Sequence, residues 1–167
     1  GSTKERILAL NRPADVYIIN RENVVWLCEH YGYQLPFDML VLDESTSFKS
    51  NKAKRWKSLR RVCLWFKKIV LLTGTPSPNG LMDLWAQVYL LDGGKRLGRT
   101  LTEFRNNYFI PDKRNGHIVF SYKIRSKEAE REIYRLISDI CVSLKSEDYR
   151  TMPDMLPPVF VPIKIDD

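Results

Sequence analysis

Two short apolar runs, each stopping abruptly at polar residues, narrow the fold of this 167-residue chain more than any other feature in it. Met39-Leu40-Val41-Leu42 ends at Asp43-Glu44, and Ile69-Val70-Leu71-Leu72 ends at Thr73-Gly74-Thr75-Pro76. Runs of this length without alternation fit parallel strands buried on both faces, whereas a strand with one wet face would alternate. Val16 to Ile19 reads as a third such strand. Between them lie helical patterns. Residues 3–10 read as the end of a helix cut short by Asn11-Arg12-Pro13. Asn20 is placed to cap a helix that carries Val24, Leu27, Cys28 and Tyr31 on one face, with Gly32 as its stop. Strand, helix, strand, helix, strand is the order of a right-handed parallel α/β unit. The expected fold class is therefore α/β, a parallel sheet flanked by helices.

The adjacent carboxylates of Asp43 and Glu44 fall at the carboxyl end of their strand, where open α/β sheets bind ligands. One reading makes them a site. In nucleotide hydrolases the first acid of such a pair holds Mg²⁺ through water and the second orients or deprotonates the attacking water. The other reading makes them caps of the following helix, a task that Ser45, Thr46 and Ser47 could share.

The second run adds a motif. Asp43-Glu44-Ser45-Thr46, with Leu72-Thr73-Gly74-Thr75-Pro76 and the stretch NGLMDLW at 79–85, resembles the Swi/Snf-type superfamily 2 helicase-like ATPases at their DExx box and motif III. The resemblance implies an incomplete first RecA-like lobe of the P-loop NTPase type, with a helical and hairpin insertion. It implies ATP and Mg²⁺ as cofactors of a longer parent, with none expected bound to this fragment. Asp43 would hold Mg²⁺ through water, and Glu44 would position the water. Thr73, Gly74 and Thr75 would link the nucleotide site to lobe movement and DNA. Lys49 falls where the family carries a basic residue beyond the DExx box. Double-stranded DNA, a phosphate-loop segment ahead of residue 1 and a second RecA-like lobe are the implied partners. Ser45-Thr46 departs from the Ala-His common in the family, and Pro78 and Gly80 stand where many members have Gln and Asn.

A phosphate loop requires G-x-x-x-x-G-K-[ST] after a strand, because backbone amides and a Lys must cradle the phosphates. Gly94-Lys95 is the only Gly-Lys pair in the chain; Arg96 follows it and Tyr89 occupies the place of the first Gly. Gly93-Gly94-Lys95 therefore reads as a turn.

The length suits one domain, and 44% hydrophobic residues with four Trp suit a folded core. No apolar run has the length of a membrane span and no secretory leader pattern is present, so a soluble, cytoplasmic, DNA-associated protein is expected. Cys28, Cys63 and Cys141 lack metal-ligand spacing and fall on apolar helical positions, which predicts buried thiols. His30 and His117 receive no role.

The net charge of +7 points to an anionic partner. Residues 49–68 hold Lys49, Lys52, Lys54, Arg55, Lys57, Arg60, Arg61, Lys67 and Lys68 without one acid. A helix there would bury Ala53, Trp56, Leu59, Cys63 and Phe66 and turn the cations outward. That face is either simply solvated or touches a phosphate backbone through Lys49, Lys54, Lys57 and Arg61.

Residues 81–91 predict a helix with Leu81, Leu84, Trp85, Val88 and Leu91 inward and Asn79 as cap, ended by Asp92-Gly93-Gly94. A short helix follows at 101–108, then a turn at 111–116 and a strand or hairpin arm with Ile118, Phe120, Tyr122 and Ile124 on one face. A long helix is expected over 126–144, with Ala129, Ile133, Leu136, Ile137, Ile140, Cys141 and Leu144 on its stripe. Residues 1–92 are thus read as the lobe core, 93–150 as insertion and long helix of the same domain, and 151–167, with alternation at 159–165, as a segment leading toward a second lobe. The function expected is part of an ATP-dependent DNA translocase or helicase-like motor, inactive alone. The alternative is a non-catalytic nucleic-acid or protein-binding module keeping the fold.

Overall fold

The computed structural model describes residues 2–115 and 118–143. Helix α1, Thr3–Leu10, has its own start. The Ser2 amide donates to Glu5 Oε2 at 2.6 Å and the Glu5 amide to Ser2 Oγ at 3.3 Å, a reciprocal cap. It spans the residues read from sequence as the end of a helix, and it buries no side chain.

Among the described residues the parallel sheet has two strands. β1, Met39–Leu42, pairs with β2, Lys68–Leu71, in register from Met39 opposite Lys68 to Leu42 opposite Leu71. The expected third strand at 16–19 is absent: Val16 is 73% exposed and Ile18 94%. A strand needs a paired edge and a covered face, and this segment has neither among the described residues. Met39 and Val41, on one face of β1, are half exposed, so burial on both faces holds only in part.

Helix α2, Val24–His30, buries Val24, Leu27 and Cys28 against α3, Lys54–Val62. A 3-10 turn at Arg21–Asn23 precedes α2, and Asn20 opens that turn without a side-chain bond. Gly32 ends α2 at φ 55°. On α3, Trp56 and Leu59 are buried and Cys63 follows them inward, as the stripe predicted, while Ala53 and Phe66 pack at its margin.

Helix α4, Leu84–Asp92, is enclosed on nearly every side. Leu84, Trp85, Ala86, Gln87, Val88 and Leu90 are all buried, more than a one-faced pattern provides. The Trp56 indole donates to the Ala86 carbonyl at 2.8 Å, and the Trp85 indole to the Gly98 carbonyl at 3.0 Å. Burial of such large rings carries polar tips that need partners, and both have one. Leu81–Asp83 is a 3-10 turn rather than α-helix. The cap before it is Gly80, at φ 105°, not Asn79.

The end of α4 shows why Gly94-Lys95 is not a phosphate loop. The amides of Gly94, Lys95 and Arg96 all donate to the Asp92 carboxylate, at 2.7, 3.2 and 3.0 Å. Donors of the kind that would cradle a phosphate are satisfied internally.

Helix α5, Leu101–Tyr108, is capped by Thr100 and leads into β3, Phe109–Pro111. β3 pairs antiparallel with β6, Tyr122–Ile124; β4, Arg114–Asn115, pairs with β5, Ile118–Val119. The strand or hairpin arm expected here is interrupted at Phe120-Ser121. The Ser121 hydroxyl accepts the Lys113 amide and its carbonyl accepts the Asp112 amide, closing a turn inside the ladder. Ile118 and Phe120 are exposed, while Tyr122 and Ile124 pack on the core.

Helix α6, Lys127–Ile137, is capped by Ser126 and buries Ile133 and Ile137. It ends before the expected 144. Ser138 turns its hydroxyl back to the Arg135 carbonyl, and Asp139 pairs with Arg96, so two short polar side chains compete with further helix. His117, Leu144 and the segments 145–150 and 151–167 lie outside the described residues. Among the described residues no helix is long and apolar enough to cross a membrane.

The three cysteines do not behave alike. Cys28 and Cys63 are fully buried, and burial pushes the Cys28 thiol up to about 11, so neither offers a thiolate near neutral pH. Cys141 is exposed, contrary to the expectation, because the helix that would have buried it ends at Ile137. Native-state titration with an aromatic disulfide reagent at pH 8 should modify Cys141 alone, and all three thiols in denaturant. Fast native modification of Cys28 or Cys63, read by peptide mass, would contradict this packing.

Candidate functional site

Parallel pairing in this register brings the ends of both apolar runs to one sheet edge. The ladder continues past the strands: the Leu72 amide donates to the Leu42 carbonyl and the Ser45 amide to the Leu72 carbonyl, each at 2.9 Å. Asp43 and Glu44 therefore leave β1 beside the point where Thr73, Gly74 and Thr75 leave β2. Both carboxylates are exposed.

The two acids do not act as caps. The 3-10 turn Ser45–Phe48 that follows them has no side-chain cap. The Asp43 carboxylate instead accepts the Glu44 amide at 3.0 Å. Glu44 adopts the left-handed conformation, φ 50° and ψ 54°, which costs a residue with a Cβ roughly 1–2 kcal/mol. Flanking bonds hold it there, the Ser47 amide donating to the Glu44 carbonyl at 2.9 Å and the Ser45 amide reaching β2. Tyr33, at φ 64°, is the other residue with a Cβ described in this left-handed region.

The threonines of the second motif lie at this edge without bonding the acids. Thr73 Oγ1 accepts the Thr75 amide at 3.2 Å, folding that loop on itself. Contact between the two motifs runs elsewhere. Ser45, 1% exposed, donates its hydroxyl to Gln87 Oε1 at 2.8 Å; Gln87, 4% exposed, donates Nε2 to the Pro76 carbonyl at 2.6 Å and the Asp83 carbonyl at 3.1 Å. Closer to the surface, Lys49 pairs with Asp83 at 3.3 Å, and Asp83 also accepts the Asn79 amide at 3.1 Å. Sequence reasoning gave Gln87 no part. Its signal was one amide within LWAQVYLL, a helix otherwise apolar on every side.

The basic segment divides. Arg55 donates to the Ser47 carbonyl at 2.9 Å and lies over Phe48; Arg60 bonds the Tyr89 hydroxyl at 3.2 Å and lies over Trp56. Arg61 stacks on Tyr33, 3.4 Å from the ring centre, and Lys67 pairs with Asp38 at 2.7 Å. Lys54 and Lys57 are exposed and form no ion pair among the described residues. Of the four residues expected to touch nucleic acid, Lys54 and Lys57 are thus unengaged, while Lys49 and Arg61 have internal partners.

A cavity lies away from the acids, between α1 and residues 12–20. It encloses about 580 Å³ and is lined by Leu10, Val16, Ile18 and Trp26, among others, and by no residue of the carboxylate edge.

A family profile described as SNF2-related domain matches residues 6–158. Protein p41 of Acyrthosiphon pisum secondary endosymbiont phage 1 is 39% identical over 157 residues, 89% of this chain and 34% of that protein. Chromatin-remodeling ATPase INO80 of Schizosaccharomyces pombe is 33% identical over 103 residues, 54% of this chain and 6% of its own length. Helicase SWR1 of Mycosarcoma maydis is 42% identical over 65 residues, 38% of this chain and 3% of its own length. The chain thus spans about a third of the phage protein and a small part of each remodeller. No solved structure matches.

The backbone strain at Glu44 is measurable. Glu44→Gly should raise the free energy of unfolding by about 1 kcal/mol, since glycine adopts the left-handed region without a Cβ penalty. Glu44→Ala should not. Equal effects of the two substitutions in urea denaturation would remove backbone strain from the account of this residue.

Proposed function

The chain belongs to the SNF2-related domain family, and from that premise we propose that it supplies the DExx box and motif III of a Swi/Snf-type motor that hydrolyses ATP to move on double-stranded DNA. The observation that carries the reading is the convergence of Asp43-Glu44 and Thr73-Gly74-Thr75 on one edge of a parallel sheet, with Glu44 held in a strained conformation. On this reading the chain is part of a first RecA-like lobe, and residues 93–150 are the helical and hairpin insertion and long helix of the same domain.

Asp43 fits the protein's share of a magnesium site. Mg²⁺ keeps several waters and takes one or two carboxylates besides substrate phosphates, and Asp43 is exposed with Oδ1 accepting a backbone amide that orients it. Magnesium, when bound with ATP, neutralises charge on the phosphates. Glu44, at the same edge, orients the attacking water and accepts its proton. Phosphate cradling falls to a loop outside these residues, because the amides of residues 94–96 belong to Asp92.

The names of two relatives, a chromatin-remodeling ATPase and a helicase, support DNA as the track. Lys54 and Lys57, about one helical turn apart on the exposed face of α3, are well placed to touch a phosphate backbone. Lys49 serves the site instead through Asp83, and Arg61 serves the α2–α3 packing through Tyr33.

Two measurements test this reading. The chain alone should show no DNA-stimulated ATP turnover. In the longer protein, with a phosphate loop and second lobe, Glu44→Gln should leave ATP binding intact and stop turnover, since an amide of the same shape accepts no proton. Turnover by the chain alone that Glu44→Gln abolishes would overturn the need for the missing loop, and normal turnover by the variant would remove Glu44 from the mechanism. A longer protein that binds DNA without hydrolysing ATP would favour the non-catalytic module.

For DNA, fluorescence titration of a labelled duplex should give affinity that falls steeply with salt. Lys54→Glu with Lys57→Glu should lower the log-log slope by about 0.9 for each phosphate that the protein no longer neutralises. An unchanged slope would place the DNA path on other residues.

A further inference from the structure

We infer that Gln87 is a positioning residue whose buried side-chain amide fixes the Glu44-Ser45 turn and the 73–80 loop in one relation. Its side-chain amide reaches both segments and the turn that opens its own helix. Oε1 accepts the Ser45 hydroxyl, and Nε2 donates to the carbonyls of Pro76 and Asp83. The orientation of the amide follows from its partners: both carbonyls can only accept, so the nitrogen must face them and the oxygen must face Ser45.

Burial makes this contact stiff. Ser45 and Gln87 are almost wholly excluded from solvent, so rotating the amide away would strand several polar groups without water. Ser45 is fixed at its other end by its amide bond to the Leu72 carbonyl, and it directly follows the strained Glu44. Pro76 sits between residues whose own ties are local: Thr75 bonds Thr73, and Gly80 bonds Ser77. Neither Pro76 nor Pro78 has an amide proton to anchor the loop. The Gln87 bond to the Pro76 carbonyl therefore ties the exposed loop to a buried side chain. Asp83 adds a second, more exposed one, holding Lys49 on one side and the Asn79 amide on the other.

The consequence is that a displacement of the 73–80 loop is felt at Glu44 through Gln87, rather than through bonds from Thr73 or Thr75 to the acids. The coupling itself stands on the geometry. Its role in catalysis rests on the motor reading above.

The test separates the two. Amide NMR spectra of the chain would be compared for wild type, Ser45→Ala, Gln87→Met and the double variant. Ser45→Ala should move the Thr75 and Ser77 resonances, across the bridge, while leaving those of α6 in place. In the Gln87→Met background the same substitution should leave Thr75 and Ser77 unmoved. Equal shifts in both backgrounds, or none in either, would overturn the coupling. Ser45→Ala keeps the question open to measurement should Gln87→Met fold poorly, because absence of the Ser77 shift alone decides against it. In the longer protein, Gln87→Met should lower kcat for DNA-stimulated ATP hydrolysis about tenfold with little change in KM for ATP, the pattern of a group that acts after binding. An unchanged kcat beside an intact NMR coupling would overturn the positioning role. Absence of hydrolysis by the wild-type longer protein would instead sink the motor reading, with the coupling still decided by the spectra.

Discussion

The structure depends on the parallel pairing of β1 with β2 and on its register. Leu42 opposite Leu71 makes the strands end together, so the polar residues that follow each strand share one edge. A slip of one residue would reverse which side chains meet the core, because strand side chains alternate. Leu42, buried, and Val41, half exposed, would exchange places. The site is thus a consequence of sheet register before it is a matter of acidic side chains.

Register alone would leave two loops near each other without fixing them. Helix α4 does the fixing. It is apolar on nearly all sides and receives Trp56 across one turn and its own Trp85 across another, so its position has little freedom. The Trp56 indole bond to the Ala86 carbonyl sits next to Gln87 in sequence. The polar bridge between the motifs is therefore mounted on a helix buried on nearly all sides, and a buried amide held this way has one low-energy arrangement.

Much of this was legible in the chain itself. The strands at 39 and 68, the helices at 24, 54, 84 and 101 and the edge carrying both motifs follow from uninterrupted apolar runs and helical spacing. What failed did so for tertiary reasons. Val16 to Ile19 has the composition of a strand, but composition cannot supply an edge to pair with. The break at Ser121 and the early end of α6 at Ile137 come from serine hydroxyls that bond nearby backbone, a competition invisible to hydrophobic periodicity. Asn79 looked like a cap because its residue type is right, yet the 3-10 turn begins one residue later at a glycine with positive φ. Gln87 was missed because a single polar residue in an apolar helix is equally consistent with one exposed position. Only packing on every side makes it informative.

The basic segment carries the same lesson into electrostatics. Nine cations without an acid look from sequence like one uniform positive surface. In the fold, the planar guanidinium groups of Arg55, Arg60 and Arg61 lie over Phe48, Trp56 and Tyr33, where weak hydration and flat shape favour stacking. Lys49 and Lys67 find carboxylates on other segments. The lysines left over, Lys54 and Lys57 among them, have compact, strongly hydrated heads that gain little from aromatic faces and stay in water. Arginine and lysine have thus been sorted by chemistry into ring-stacked and freely hydrated groups along one helix. Net charge measures their sum, but attraction for a polyanion at close range depends on the cations whose hydration shell has not already been exchanged for protein.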